Sequence, residues 1–113
     1  MTHPGRERRE SYRATREIYA SFVLKGRKKG EGLFFSRTLS PGGLSFLRRL
    51  PLPKGTALEM SLYLPNLLEP LKTAGDVVHS TPERDGQGFR IGVSFRTMGE
   101  IGRSEITQFI EGR

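Results

Sequence analysis

Apolar and polar residues alternate in several short stretches separated by glycine and proline, and this pattern constrains the fold most strongly. Residues 57–64 carry leucine or methionine at every second position, and residues 89–95 alternate phenylalanine, isoleucine and valine with other residues. A period of two is typical of a half-buried β-strand. The chain has 14 glycines and 7 prolines in 113 residues, so the stretches between turns are short. The sequence therefore predicts short antiparallel strands.

The predicted elements are several strands followed by one helix. Ser40-Pro41-Gly42-Gly43 predicts a tight turn, because proline fixes φ and glycine permits a positive φ. The end of the chain changes to helical spacing of its apolar residues, with Thr97 as a possible cap. Five or six strands and a final helix predict a small antiparallel barrel or a strongly curled sheet. The predicted strands cover 18–24, 32–38, 44–46, 57–64, 71–80 and 89–95, and the helix covers about 99–111.

Length, cysteine content and charge narrow the class of protein. A chain of 113 residues corresponds to one domain, and the sequence contains no cysteine and only two histidines, His3 and His79. We therefore expect no metal site and no disulfide. The sequence has no apolar run long enough for a membrane span and no secretory signal, which predicts a cytoplasmic protein.

The positive charge is concentrated near the N-terminus. The net charge is +7, and residues 1–30 hold nine basic residues against three acidic ones. Such a balance favours an anionic partner. We expect residues 1–13 to form a flexible basic tail and residues 14–113 to form the β-rich domain with its C-terminal helix.

Two short motifs are candidates for binding an anion. Arg9 and Arg13 are four residues apart, which places them on one side of the chain whether it is extended or helical, and Arg8 lies next to them. Guanidinium groups match phosphate and stack on flat rings. The second motif is Thr38-x-Ser40-x-x-Gly43, whose hydroxyl and turn amides can receive an anion or the edge of a base.

Taken together, the order and spacing of these motifs resemble the two-part signature of the PilZ domain family, RxxxR followed by Asp/Asn-x-Ser-x-x-Gly. The resemblance implies an all-β fold with a C-terminal helix, in which six antiparallel strands form a barrel that binds the bacterial second messenger cyclic di-GMP. It also implies a downstream protein partner. By the same resemblance, Arg8, Arg9 and Arg13 would hold the phosphates, Ser40 and Gly43 would lie under a guanine, and His79 would place a ring against the ligand.

Thr38 departs from that signature, which has a carboxylate or amide at this position. Losing a charge-assisted hydrogen bond costs roughly 1.5–3 kcal/mol, or about one to two decades in affinity. Thr38 could therefore weaken binding of cyclic di-GMP. It also supports an alternative, in which the domain is a degenerate member of the family that acts as a protein–protein adaptor without binding the nucleotide.

Catalysis and nucleic-acid binding are less consistent with the sequence. Asp76 and His79 are three residues apart in a predicted strand, which places them on opposite faces, and no other arrangement suggests an active site. We therefore expect no enzymatic activity. A basic tail next to Tyr19, Phe34 and Phe35 could bind single-stranded nucleic acid, but aromatic residues in apolar strands more often pack in a core.

Overall fold

The computed structural model describes residues 18–26, 32–96 and 98–112, and these form one curled antiparallel sheet and a helix. The described residues contain no helix that is long and apolar enough to cross a membrane. The elements, in chain order, are β1 (Tyr19–Leu24), β2 (Gly32–Phe35), β3 (Thr38–Ser40), β4 (Gly43–Arg48), β5 (Ala57–Tyr63), β6 (Leu71–Pro82), β7 (Phe89–Phe95) and α1 (Glu100–Glu111).

The strands of the described residues pair in the order β2-β1-β5-β6-β7-β4-β3, and every pairing is antiparallel. The sheet curls into a half-barrel, so that its two ends approach each other. The ring of Phe34 in β2 stacks on Phe46 in β4, with ring centroids 4.0 Å apart. The predicted fold class, mainly β with a C-terminal helix, is confirmed.

The described residues form seven strands where the resemblance implied six, because the segment predicted as one strand over residues 32–38 changes partner near its end. The amide of Ser36 still donates to the carbonyl of Ile18 beside β1, at 2.9 Å, whereas the amide of Arg37 donates to Ser45 in β4, at 2.7 Å. The fully buried Ser36 hydroxyl also accepts a hydrogen bond from the amide of Ile18, at 3.1 Å. This corner ends β2 and begins β3.

The hydrophobic core lies on the concave face of the sheet and follows the alternation seen in the sequence. In β5 the buried residues are Leu58, Met60 and Leu62, and in β7 they include Ile91 and Val93. Fully burying one such side chain stabilises the folded state by about 1.5–3 kcal/mol. We call the opposite, convex face of the sheet the outer face.

Helix α1 closes one side of the core, with Ile106 fully buried and Gly102 packed against Met98. Ile101, which the sequence placed on the apolar stripe, is instead 81% exposed. The helix begins after Gly99, which makes no side-chain capping hydrogen bond, and the proposed cap Thr97 lies outside the described residues.

Candidate functional site

A pocket of about 180 Å³ opens on the outer face where β3, β4, β6 and β7 lie side by side. Thr38, Ser40, Gly43 and His79 all line it, so the structure brings together four of the seven site residues proposed from the sequence. They come from two separate segments of the chain, the β3–β4 hairpin and β6. The residues that line it include no lysine, arginine, aspartate or glutamate.

Ser40 and Gly43 face each other at the end of the β3–β4 hairpin. The Ser40 hydroxyl accepts a hydrogen bond from the amide of Gly42 and donates one to the carbonyl of Gly43, each at 3.3 Å. These two bonds organise the turn from within. The turn therefore presents a formed wall to the pocket.

Gly43 is required here for a reason other than the one predicted. Neither Gly42 nor Gly43 has a positive φ, so the turn does not use glycine's access to left-handed backbone conformations. Instead, a Cβ atom on Gly43 would lie 2.1 Å from the carbonyl oxygen of Val93. Only glycine lets β4 approach β7 this closely.

A row of polar positions crosses four strands of the outer face and forms the floor of the pocket. Thr38 pairs with Ser45, Ser45 with Gly92, and Gly92 with His79. Directly opposite residues in an antiparallel sheet place their side chains on the same face. We call Thr38, Ser45, Gly92 and His79 the polar row.

The two ends of the polar row differ in character. The hydroxyl oxygens of Thr38 and Ser45 are 2.8 Å apart and share one hydrogen bond. At the other end the imidazole of His79 lies over the backbone of Gly92, where a Cβ atom would be 2.1 Å from Nε2. The missing side chain of Gly92 thus makes room for the ring.

A β-bulge at Val78 sets the position of His79. The register between β6 and β7 shifts between Val77 and His79, which leaves Val78 44% exposed. A bulge places an extra residue in one strand and so reverses the alternation beyond it. As a result Asp76, opposite Ser94, and His79, opposite Gly92, share the outer face, and the prediction that they point to opposite faces was wrong.

A charged pair flanks the pocket. Nε of Arg96 donates to Oδ2 of Asp76 at 3.0 Å, and Nη2 of the same guanidinium donates to Oδ1. The hydrogen bond from Arg96 lowers the pKa of Asp76, because it stabilises the ionised carboxylate, and the nearby charge of Lys25 acts in the same direction. Among the described residues, no group of His, Asp and Glu side chains could hold a metal ion.

Arg8, Arg9 and Arg13 lie outside the described residues, but the point where the described chain begins is informative. Ile18 is hydrogen-bonded to Ser36 through both its amide and its carbonyl. Ser36 is two residues before Thr38, and Thr38 lines the pocket. Arg13 is five positions before Ile18 in the sequence, and five residues of chain span at most about 17 Å.

Sequence reasoning missed several pocket residues, namely Ser45, Val78, Gly92 and Ser94. A signal for Gly92 and Ser94 was present, because both occupy the polar positions of the alternating stretch 89–95. A glycine on the solvent side of a central strand leaves a hollow that other residues would fill. Val78 had no such signal, since a bulge is not evident in the sequence.

The other half of the outer face carries a row of exposed aromatic rings. Tyr19 stacks on Phe35 with ring centroids 4.7 Å apart and lies 6.5 Å from Tyr63. These residues, which we call the aromatic row, are 45%, 58% and 41% exposed, respectively. The expectation that the strand aromatics pack in the core therefore holds for Phe34 and is wrong for Tyr19 and Phe35.

The sequence matches the PilZ domain family over residues 7–112, and the chain belongs to this family. The family is one of cyclic di-GMP receptors, and its members are receptor and adaptor domains. The prediction of the family from its two motifs is confirmed. No curated protein matches the sequence closely.

Solved structures with the same fold include three bacterial proteins. The inhibitor of motility MotI/DgrA of Bacillus subtilis has a TM-score of 0.75 and 13% identity, over 90% of this chain and 49% of its own. The chain thus spans about half the length of that protein.

The other two structures are PilZ domains. One, from the protein CeSA of a cellulose-synthesizing bacterium, has a TM-score of 0.62 and 15% identity, over 88% of this chain and 95% of its own. The other, the PilZ domain of YcgR from Escherichia coli solved with c-di-GMP, has a TM-score of 0.60 and 11% identity, over 85% of this chain and 80% of its own. Because the identities are this low, the structural similarity shows a shared fold and nothing more.

Proposed function

We propose that this protein is a receptor for cyclic di-GMP. The observation that carries the proposal is that Thr38, Ser40 and Gly43 of the β3–β4 hairpin and the distant His79 of β6 line one pocket. The described chain begins at Ile18, which is hydrogen-bonded to Ser36, two residues before the pocket residue Thr38. A receptor for an internal second messenger would act in the cytoplasm.

The size of the pocket suggests how the ligand is divided between the pocket and the arginines. Pockets for drug-sized ligands usually measure roughly 300–1,000 Å³, and this one measures about 180 Å³. It suits one guanine base, resting on the Ser40–Gly43 turn with the His79 ring against it. The phosphates would then lie at the rim, within reach of Arg9 and Arg13, with Arg8 in support.

The proposed mechanism is that binding orders the N-terminal arginines. They would close over the ligand, and the surface formed in this way would be recognised by a downstream protein. This role requires no chemistry at the site, so we propose no enzymatic activity, no cofactor and no metal.

Calorimetry with cyclic di-GMP tests the proposal. We expect binding by the wild-type protein, and a loss of about tenfold to hundredfold in affinity for Arg9→Ala and for Arg13→Ala, because each removes a charge-assisted contact with phosphate. Arg6→Ala is the matched control, since it removes the same charge from the same segment outside the motif.

Two results would contradict the proposal. The first is that cyclic di-GMP, at concentrations on the order of hundreds of micromolar, produces no heat and no amide shifts at Ser40 and Gly43. Such a result would exclude nanomolar and low-micromolar dissociation constants. The second is an equal loss in all three arginine variants, which would indicate general attraction of an anion instead of a clamp.

A protein–protein adaptor is the second candidate function, and the aromatic row favours it. Exposed tyrosine and phenylalanine side chains in mutual contact are typical of protein interfaces. With a net charge of +7, the chain would favour an acidic partner. If the native protein does not bind cyclic di-GMP and Thr38→Asp creates binding, the adaptor function is supported.

Single-stranded nucleic acid is a weaker third candidate. Its affinity would fall steeply with salt, because the protein would release counterions from the phosphate backbone. A mobility-shift assay at low salt that shows no complex excludes it.

A further inference from the structure

A guanine in the pocket would present two neighbouring donors, and no side chain that lines the pocket is a carboxylate that could accept from both. The edge of guanine carries an N–H and an amino group, both hydrogen-bond donors, and a carboxylate can accept from both. The hydroxyl of Thr38 is already engaged with that of Ser45, and the residues that line the pocket include no carboxylate. The need for such an acceptor rests on the proposed function, because it takes guanine as the ligand.

Asp76 is the carboxylate that the sheet places next to the pocket. Ser94, which lines the pocket, pairs with Gly43 on one side and with Asp76 on the other. Gly43, Ser94 and Asp76 therefore form a second row across the outer face, directly beside the polar row. Among the acidic residues of the described strands, Asp76 is the one whose strand partner lines the pocket.

The β-bulge at Val78 completes this arrangement. Because of the bulge, Asp76 and His79 stand next to each other on the outer face, along one side of the pocket. Asp76 and Gly92 are diagonal neighbours across β6 and β7. Such neighbours are about 7–8 Å apart, a distance that a long or flat group can bridge. A purine held over Gly92 by the His79 ring would bring one edge toward Asp76.

The carboxylate of Asp76 is ionised and keeps free acceptor positions. Arg96 donates to both of its oxygens, but two carboxylate oxygens offer about four lone-pair sites. The side chain is 36% exposed, so these remaining sites are open to a ligand. Arg96 thus takes up only part of the acceptor capacity of Asp76.

We propose that Asp76 accepts hydrogen bonds from the guanine edge of the bound nucleotide and so makes the site prefer guanine to adenine. Adenine carries an acceptor at the ring position where guanine carries a donor. The negative charge of the carboxylate repels that acceptor, and the preference follows from this difference.

Calorimetry with cyclic di-GMP and with cyclic di-AMP measures that preference as a ratio of two affinities. In Asp76→Ala we expect the affinity for cyclic di-GMP to fall by about tenfold to hundredfold, because a hydrogen bond to a charged group is lost. The affinity for cyclic di-AMP should stay the same or rise, so the ratio collapses. Asp76→Asn keeps one acceptor and adds a donor, so its ratio of affinities should lie between those of the wild type and Asp76→Ala.

The matched control is Arg96→Ala, which breaks the same ion pair and leaves the carboxylate in place. It should preserve the ratio of the two affinities even if it changes both of them. Glu83→Gln is a second control, because Glu83 pairs with Arg90 away from the pocket. Thermal unfolding of each variant checks the fold, and exposed ion pairs such as these contribute little to stability.

The outcomes separate this inference from the proposed function. If the wild-type protein binds neither nucleotide, both the receptor function and the role of Asp76 are overturned. If it binds cyclic di-GMP and the ratio is unchanged in Asp76→Ala, the role of Asp76 alone is overturned. An equal change of the ratio in Arg96→Ala would also overturn it, because the pair and not the carboxylate would then set the preference.

Discussion

The polar row and the aromatic row lie on the same outer face of one sheet, yet one forms a hollow and the other a ridge. Both consist of residues paired directly across neighbouring strands. Gly92 sits in the middle of the polar row and Gly43 lies at its border, whereas the aromatic row carries a ring at every position. The shape of each surface therefore depends on the side chains at a few paired positions, together with the bulge at Val78 that sets the position of His79.

The two rows also differ in how their residues are held. The hydroxyls of the polar row and of the adjoining turn bond to each other and to the backbone. The rings of the aromatic row are held by stacking, which needs no such bonds. A hollow lined by organised polar groups is suited to a small polar ligand, and an exposed row of rings is suited to a larger apolar surface.

The largest effect is expected at Gly43, where the hollow depends on close approach of two strands. Gly43→Ala places a Cβ atom against the backbone carbonyl of Val93, which cannot move without breaking the β4–β7 pairing. We expect the free energy of unfolding to fall by about 3 kcal/mol or more, as in other overpacked sites. Urea denaturation measures this change.

Gly42→Ala is the matched control for this prediction. The nearest atom to its added Cβ would be Oγ of Ser40 at 3.9 Å, an ordinary contact. We expect a change within about 0.5 kcal/mol, typical of surface substitutions. Equal losses at the two adjacent glycines would show that the turn, and not the approach of β7, requires glycine.

Phe34 and Phe35 test the other row, because they are adjacent in β2 and face opposite sides of the sheet. Phe34 packs on Phe46 in the core, so Phe34→Ala should cost about 3 kcal/mol or somewhat more. Phe35→Ala removes an exposed ring stacked on Tyr19 and should cost about 0.5–1.5 kcal/mol. Chemical denaturation of both variants checks the difference.

The two rows should also differ in their effect on the affinity for cyclic di-GMP. Phe35→Ala should leave the affinity for cyclic di-GMP unchanged in calorimetry, because the aromatic row lies on different strands from the pocket. A clear loss of affinity in this variant would mean that the two halves of the outer face act as one site.

The alternation in the sequence predicted the sheet but could not decide which face of β2 is outward. Phe34 and Phe35 are both aromatic, so β2 itself carries no inward or outward signal. The register with β1 decides it, by placing Phe34 opposite the buried Ala20 and Phe35 opposite the exposed Tyr19. Pairing partners are a property of the folded sheet and are not encoded in the local pattern of one strand.

The sequence indicated some of the residues that line the pocket but not the geometry that brings them together. Ser40 and Gly43 were found from their turn, and His79 from a family resemblance, and all three line the pocket. The bulge at Val78 was not predictable, because nothing in Asp76-Val77-Val78-His79 distinguishes a bulged strand from a regular one. That single extra residue decides which side chains stand beside the pocket.

A smaller effect is expected at Gly92, in the middle of the polar row. A Cβ atom in Gly92→Ala would meet the ring of His79, which is exposed and can move aside. We expect a loss of stability below about 1 kcal/mol but a loss of about tenfold in affinity for cyclic di-GMP, because the ring is displaced and the hollow is filled. Thermal unfolding and calorimetry measure the two quantities.

His79→Ala is the companion variant for Gly92→Ala. If the ring is what Gly92 accommodates, then adding Gly92→Ala to His79→Ala should weaken binding less than it does in the wild type. Additive losses of affinity in the double variant would mean that Gly92 contributes through the floor of the pocket alone.

The smallest effect concerns the pH dependence of the Asp76–Arg96 pair at the border of the polar row. Arg96 lowers the pKa of Asp76 from its ordinary value of 3.8 in the folded protein. A group whose pKa is lowered by folding stabilises the fold above its unfolded pKa, and this contribution is lost as the pH falls through the folded pKa. The melting temperature of the wild type should therefore exceed that of Asp76→Asn slightly at neutral pH, and the difference should decline as the pH falls below 3.8 and vanish below the lowered pKa of the folded protein. Because the pair is exposed, added salt should reduce the difference at neutral pH. A difference that persists unchanged in acid would show that Asp76 stabilises the fold through contacts independent of its charge, and its carboxylate would then be a structural part of the sheet and not a charge presented at the edge of the pocket.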